Sequence, residues 1–145
     1  MYKKILVPID GSQQSDKAEA KALELAKLVG AQVTFVHVMV PPTQFVAFSG
    51  EGPLTIPQEF MDEWKQMGQK LVDARVKNAA ESTVKINGQL YMGNPPDKIC
   101  QLAAEGGYDL IVIGSRGLGA IKGYLLGSVS DRVSHHAKCS VLIIH

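Results

Sequence analysis

Net charge is nearly absent from this sequence. Fifteen Lys and Arg stand against 14 Asp and Glu, leaving +1 with the histidines neutral. So balanced a chain has no electrostatic hold on DNA, RNA or an anionic membrane surface, and none is expected as a partner. Cysteine is scarce: Cys100 and Cys139 are the only two. They fall in different expected elements and lack the paired spacing of a zinc site. A domain of this length needs no disulfide, so buried thiols in a reducing compartment are expected. Long apolar runs are missing as well. Nothing approaches the roughly 18 apolar residues of a membrane span. The opening MYKKILVPID has an apolar part too short for a signal-peptide core, with no cleavage-like small residues after it. The expected location is the cytoplasm. Internal repeats and low-complexity segments are also lacking.

What is present is apolar substance: 46% of 145 residues, enough for one globular domain with a real core. Lys3 to Ile9 contains a short continuous apolar run that suits a strand buried on both faces. Asp10-Gly11-Ser12 makes a turn. Ser15 or Asp16 is the expected cap of a helix carrying Ala18, Ala22, Leu25, Ala26 and Val29 at helical spacing, with Gly30 as its stop. Gln32–Val38 is a second strand, and 39–56, rich in Pro and Gly, a long loop. A helix from Pro57 to about Ser82 follows, with Phe60, Trp64, Met67, Leu71, Ala74 and Val76 as its apolar face. Val84–Tyr91, interrupted by Gly88, reads as an edge strand. Gly93–Pro96 is a loop, Asp97–Glu105 a short helix and Asp109–Ile113 a strongly apolar strand. Residues 114–127 are Gly-rich, Ser128–Ala137 is a helix, and Ser140–Ile144 is the last strand. Such alternation predicts an α/β fold: a single-domain, Rossmann-like open parallel sheet with helices on both faces.

Open parallel sheets take ligands beyond the carboxyl ends of their strands, where the strand order reverses. Orders 2-1-3-4-5 and 3-2-1-4-5 both put the first strand at that point. The second sets Asp10-Gly11-Ser12 against the loop that begins at Gly114. That loop reads GSRGLGAIKGYLLGS, with Gly114, Gly117, Gly119, Gly123 and Gly127. Glycine permits positive φ and close approach of main-chain N–H groups to a ligand. Gly127-Ser128 opens a helix whose free N–H groups and dipole favour an anion, phosphate above all. The Ser128 hydroxyl can add a bond or cap the helix, and Arg116 and Lys122 add positive charge. The loop is neither a P-loop, having no Lys-Ser or Lys-Thr after its last glycine, nor the dinucleotide fingerprint, since Lys122 stands where the third glycine belongs.

Gly114, Gly117, Gly127 and Ser128 have the spacing G-x2-G-x9-G-[ST]. With ILVPIDGS at the start, FVHV, DLIVIGSRG and the closing AKCSVLII, the whole chain resembles the ATP-binding subgroup of the universal stress protein family. The resemblance implies sheet order 3-2-1-4-5 and ATP, ADP or AMP as ligand with Mg²⁺. It implies Asp10 near the ribose or the phosphate-bound metal and the Val38 main chain at the adenine edge. Gly114, Gly117, Gly127, Ser128 and Val129 would hold ribose and phosphates, and Pro8, Ile9 and Ile113 would line the pocket. It also implies a homodimer through strand 140–144, whose exposed apolar edge a second copy would cover, and a partner protein that reads the nucleotide state. Ser140 departs from the family, which often has proline there.

Asp10 has a second reading, as the cap of an Asp-Gly turn, and the two roles are compatible. Adjacent His135 and His136 point about 100° apart and cannot share a metal; helix-end surface positions suit them. His37 is expected in the core, and Trp64 and Met67 in packing. No paired acid and base is visible, and no base is placed for Ser115 or Ser128. At most slow ATP hydrolysis is expected.

Overall fold

The structure, a computed structural model, describes residues 1–41, 56–118 and 126–145. Residues 42–55 of the expected 39–56 loop, and Gly119, Lys122 and Gly123, lie outside the described residues, while Met39 belongs to the second strand.

Five parallel strands form one sheet in the order β3-β2-β1-β4-β5. They are β1 (Lys4–Pro8), β2 (Gln32–Met39), β3 (Ile86–Met92), β4 (Leu110–Gly114) and β5 (Ser140–Ile144). The connecting helices are α1 (Gln13–Val29), α2 (Gln58–Asn78), α3 (Pro95–Glu105) and α4 (Ser128–His136). Successive strand residues point to opposite faces. Along β1, Ile5 and Val7 join one buried cluster with Val33, Phe35, the alanines 18, 22 and 26 of α1, and Val72 of α2. Leu6 joins the other, with Ile111, Ile113, Ile99 of α3 and Val133 of α4. Both faces are therefore covered, which is why β1 and β4 read as unbroken apolar runs.

Local chemistry moves several element ends. Ser12, not Ser15 or Asp16, caps α1: its Oγ accepts from Ser15 N at 3.2 Å, and Asp16 falls in the first turn. Gly30 ends α1 as expected, at φ 71°, in the left-handed region that glycine tolerates best. Gly93–Pro96 is not all loop, because Asn94 caps α3 and Pro95 takes its first position, where a missing N–H costs nothing. The third strand is shifted two residues on from Val84, but it lies at the sheet edge as expected, paired only with β2 among the described strands.

The apolar face expected for α2 holds only in part: Leu71 and Val76 pack against the core and Trp64 is half-buried, but the rest of it is not covered. Phe60 and Met67 are 49% and 70% exposed, and Ala74 is also exposed. The buried side carries Gly68 and Val72, and the helix ends at Asn78 rather than near Ser82. The reason is close main-chain approach. A Cβ on Gly68 would lie 2.4 Å from Met39 Sδ, and one on Gly88 would lie 2.5 Å from Val72 Cγ1. Two glycines let helix and edge strand nearly touch, and that contact sets the rotation of α2. Arg75 then reaches α1, at 2.6 Å from Asp16 Oδ1 and 3.7 Å from Glu19 Oε2. Burial pushes the Glu19 carboxyl up despite that guanidinium. Both cysteines are free thiols, half-buried rather than fully buried.

Asp109, just before β4, ties down the start of β1. Its Oδ2 accepts from Lys3 N at 2.6 Å and Lys4 N at 2.7 Å. These main-chain donors hold its carboxyl below the ordinary value. A depressed folded-state value means stability that is present above the unfolded-state titration and lost as pH falls through the folded one. Asp109→Asn is therefore expected to lower stability most near neutral pH and to flatten the acid limb below about pH 4, where the two proteins converge. Urea midpoints measured across that range check this; equal acid slopes in both proteins would contradict it.

Candidate functional site

The strand order reverses between β1 and β4, so connections leave those neighbours in opposite directions and open a crevice at their carboxyl ends. A cavity of about 290 Å³ occupies that crevice. Eleven of the residues singled out from the sequence border it. Pro8, Ile9 and Asp10 come from the end of β1, Val38 from β2, and Ile113 and Gly114 from β4. Arg116, Gly117, Gly127, Ser128 and Val129 come from the two described ends of the Gly-rich loop.

The glycines act by smallness, not by left-handed conformation. Positive φ occurs at Gly11, Gly30, Gly93 and Gly107, and not at Gly114, Gly117 or Gly127. A Cβ on Gly114 would lie 2.8 Å from the Gln14 carbonyl carbon. On Gly117 it would meet Asp10 Oδ2 at 2.6 Å, and on Gly127 it would meet Arg116 Cα and Ser115 O at 3.3 Å. The loop ends are sewn together at one carbonyl: Ser115 O accepts from Gly127 N at 2.6 Å and from Ser130 Oγ at 2.7 Å. Ser115 N in turn donates to Ile144 O at 2.7 Å, fixing the loop to β5.

Helices α1, α3 and α4 each bring N-terminal residues to this cavity, through Ser15, Pro95 and Ser128 respectively. Their donors are in different states. At α1, Ser12 Oγ takes the Ser15 N–H. At α3, Pro95 and Pro96 have no N–H to give, and Asn94 Oδ1 takes that of Asp97 at 3.4 Å. At α4, the cap is Gly127 and no side chain satisfies the first turn, so Ser128 is not the cap. The N–H groups of Ser128 and Val129 have no partner among the described residues. Of the three ends, α4 is the one without a side-chain cap, an arrangement whose free amides and dipole are favourable to an anion.

Sequence reasoning missed several lining residues: Ser15, Val36, His37, Pro95, Ile99, Leu118 and Ser130. His37 is half-buried at the cavity rather than in the core, and its Nδ1 donates to Ile9 O at 2.7 Å. His135 and His136 are exposed at the end of α4, as expected, each donating from Nδ1 to the carbonyl four residues earlier. Among the described residues no cluster of three or more His, Cys, Asp or Glu could hold a metal on its own. No described helix is long and apolar enough to cross a membrane.

Comparison with known proteins agrees with this architecture. The family model described as "Universal stress protein family" matches residues 1–145. The universal stress protein YxiE of Bacillus subtilis is 38% identical over 99% of this chain and 99% of its own. A universal stress protein solved in complex with cAMP is 27% identical, with a TM-score of 0.73 over 99% of this chain and 97% of that one. The universal stress protein of Archaeoglobus fulgidus, solved with dAMP, is 26% identical, with a TM-score of 0.64 over 99% of this chain and 98% of that one. With this match along its full length, the chain belongs to the universal stress protein family.

Proposed function

We propose that this chain is a nucleotide-binding regulator whose β1/β4 cavity takes ATP, or its products ADP and AMP. The observation that carries the reading is the open first turn of α4, whose Ser128 and Val129 amides and helix dipole suit a phosphate. The cAMP and dAMP complexes of relatives support an adenine nucleotide as the ligand class. The base would lie toward the apolar side of the cavity, with the main chain of Val38 at its edge and Pro8, Ile9 and Ile113 around it. Gly114, Gly117 and Gly127 would let the main chain close on ribose and phosphates, with Arg116 adding charge.

Asp10 fits Mg²⁺ as a single carboxylate, because Mg²⁺ is ordinarily held by one or two carboxylates together with phosphate oxygens. Its Oδ1 and Oδ2 each accept one main-chain bond, from Ser12 N at 2.9 Å and Leu118 N at 3.3 Å, which leaves lone pairs over. Bound Mg²⁺ would neutralise phosphate charge; the chain's own part is to hold and orient the tail. Among the described residues no His, Asp or Glu side chain is hydrogen-bonded to a cavity hydroxyl, so hydrolysis would be slow. The edge position and apolar face of β5 support a homodimer through 140–144, with a partner protein reading the nucleotide state.

Protein purified without added nucleotide, denatured, and its supernatant run on an ion-exchange column, tests the reading. Release of an adenine nucleotide near one equivalent is expected. A clean supernatant together with no heat on titration with Mg·ATP would mean a protein that works through contacts alone.

A further inference from the structure

Asp10 closes the turn after β1, and the main chain holds both of its carboxylate oxygens. Ser12 N–H donates to Oδ1 at 2.9 Å, a local bond within the turn. Leu118 N–H donates to Oδ2 at 3.3 Å, and that bond crosses from the β1 turn to the Gly-rich loop. The crossing needs the glycine beside it, since a Cβ on Gly117 would stand 2.6 Å from the same Oδ2. Gly117 and Leu118 also line the cavity whose anion-receiving end is the first turn of α4. A carboxylate oxygen and a phosphate oxygen are alike to an N–H donor: each is an anionic acceptor making a charge-assisted bond.

We propose that Asp10 is a built-in competitor for phosphate, its carboxylate occupying a loop amide of the nucleotide cavity while the cavity is free. This rests on the reading that the cavity takes a nucleotide phosphate. Entry of a metal-free phosphate then costs the Asp10–Leu118 bond and places two anions side by side. Bound Mg²⁺ would reverse the sign, because the same carboxylate would then serve as a metal ligand. Asp10 thereby makes the cavity discriminate metal-loaded from metal-free nucleotide and couples the β1 turn to the loop through an exchange of partners.

Amide hydrogen exchange at Leu118 in the nucleotide-free protein, and calorimetric titration with AMP in EDTA, test this. Leu118 is expected to be protected in the unmodified protein and to lose that protection in Asp10→Ala. Asp10→Ala is expected to bind AMP in EDTA about two- to tenfold more tightly, the worth of one released hydrogen bond. Asp10→Asn, which keeps a carbonyl oxygen as acceptor without the charge, is expected to restore much of the Leu118 protection. Equal exchange at Leu118 in all three proteins would overturn the proposal. Weaker binding of AMP by Asp10→Ala in EDTA would also overturn it, making Asp10 a direct contact. If AMP binds to none of the proteins, the nucleotide reading fails and the competitor role with it, while the exchange data alone would still report the Asp10–Leu118 contact.

Discussion

Replacing Gly127 with valine is expected to raise the Kd for AMP about 10- to 100-fold while leaving a folded protein. A Cβ at this position would press at 3.3 Å on both Arg116 Cα and Ser115 O, and at 3.7 Å on Gly117 N. Valine adds two methyls beyond that, so the two ends of the loop must part. The Gly127 N–H then loses its 2.6 Å bond to Ser115 O, and the first turn of α4 tilts away from the cavity. Amide bonds to an anion are worth about 1.5–3 kcal/mol each, so misplacing one or two accounts for the loss. Gly127 itself belongs to neither buried cluster, so the cost in stability is expected to stay near 1 kcal/mol, at the low end for overpacking. Calorimetry and a urea titration of the same sample separate the two effects. Unchanged affinity in a folded variant would place the phosphate elsewhere.

Replacing Gly114 with valine is expected to cost about 3 kcal/mol of stability, the largest effect of any single glycine at the site. Its Cβ would stand 2.8 Å from the Gln14 carbonyl carbon and 2.9 Å from the Gln14 carbonyl oxygen. The obstacle is main chain of α1, and a helix pinned by Ala18, Ala22 and Ala26 in the core cannot step aside cheaply. Gly117→Ala makes the contrast, although its Cβ would come even closer to a neighbour, at 2.6 Å. That neighbour is the end of the Asp10 side chain, which can swing away, so stability should hardly change. For a domain of this size the Gly114 penalty corresponds to a fall in Tm of about 6–12 °C. Equal melting of Gly114→Val and Gly117→Ala would contradict the packing described here.

The frame of the fold is legible because its signals are local. The unbroken runs of β1 and β4 announce strands covered on both faces, and Asp10-Gly11-Ser12 and Gly127-Ser128 announce the turns that open the crevice. Once those strands are neighbours, the cavity residues assemble without further information. The rotation of α2 was not legible in the same way. Phe60, Met67 and Ala74 repeat at a helical spacing, but the buried face is chosen by Gly68 and by Gly88 across on β3. Close approach between two chain segments leaves no mark in the periodicity of either one. Pro95 and Ile99 were missed at the cavity because only packing carries α3 there, although Asn94 followed by two prolines is a readable helix start. Ser130 had no signal at all, since a hydroxyl in a first helical turn is common and its bond to Ser115 O depends on the closed loop.

The role of Gly117 and Gly127 was read in part. Sequence suggested both positive φ and close main-chain approach; positive φ occurs at neither glycine, and what matters is the space a side chain would fill. That difference changes the chemistry expected of a substitution: alanine is tolerated wherever the neighbour is a movable side chain, and costly where it is main chain. At the cavity, prolines silence the start of α3, Ser12 takes the Ser15 donor of α1, and the glycine cap leaves the first turn of α4 with no side-chain partner among the described residues.

A crystal structure grown with Mg·ATP is the most direct test of that cradle. The account predicts a phosphate group within hydrogen-bond distance of the Ser128 and Val129 amides, and adenine beside the Val38 main chain. A nucleotide bound away from the α4 terminus, or a cavity left without nucleotide at saturating Mg·ATP, would contradict it.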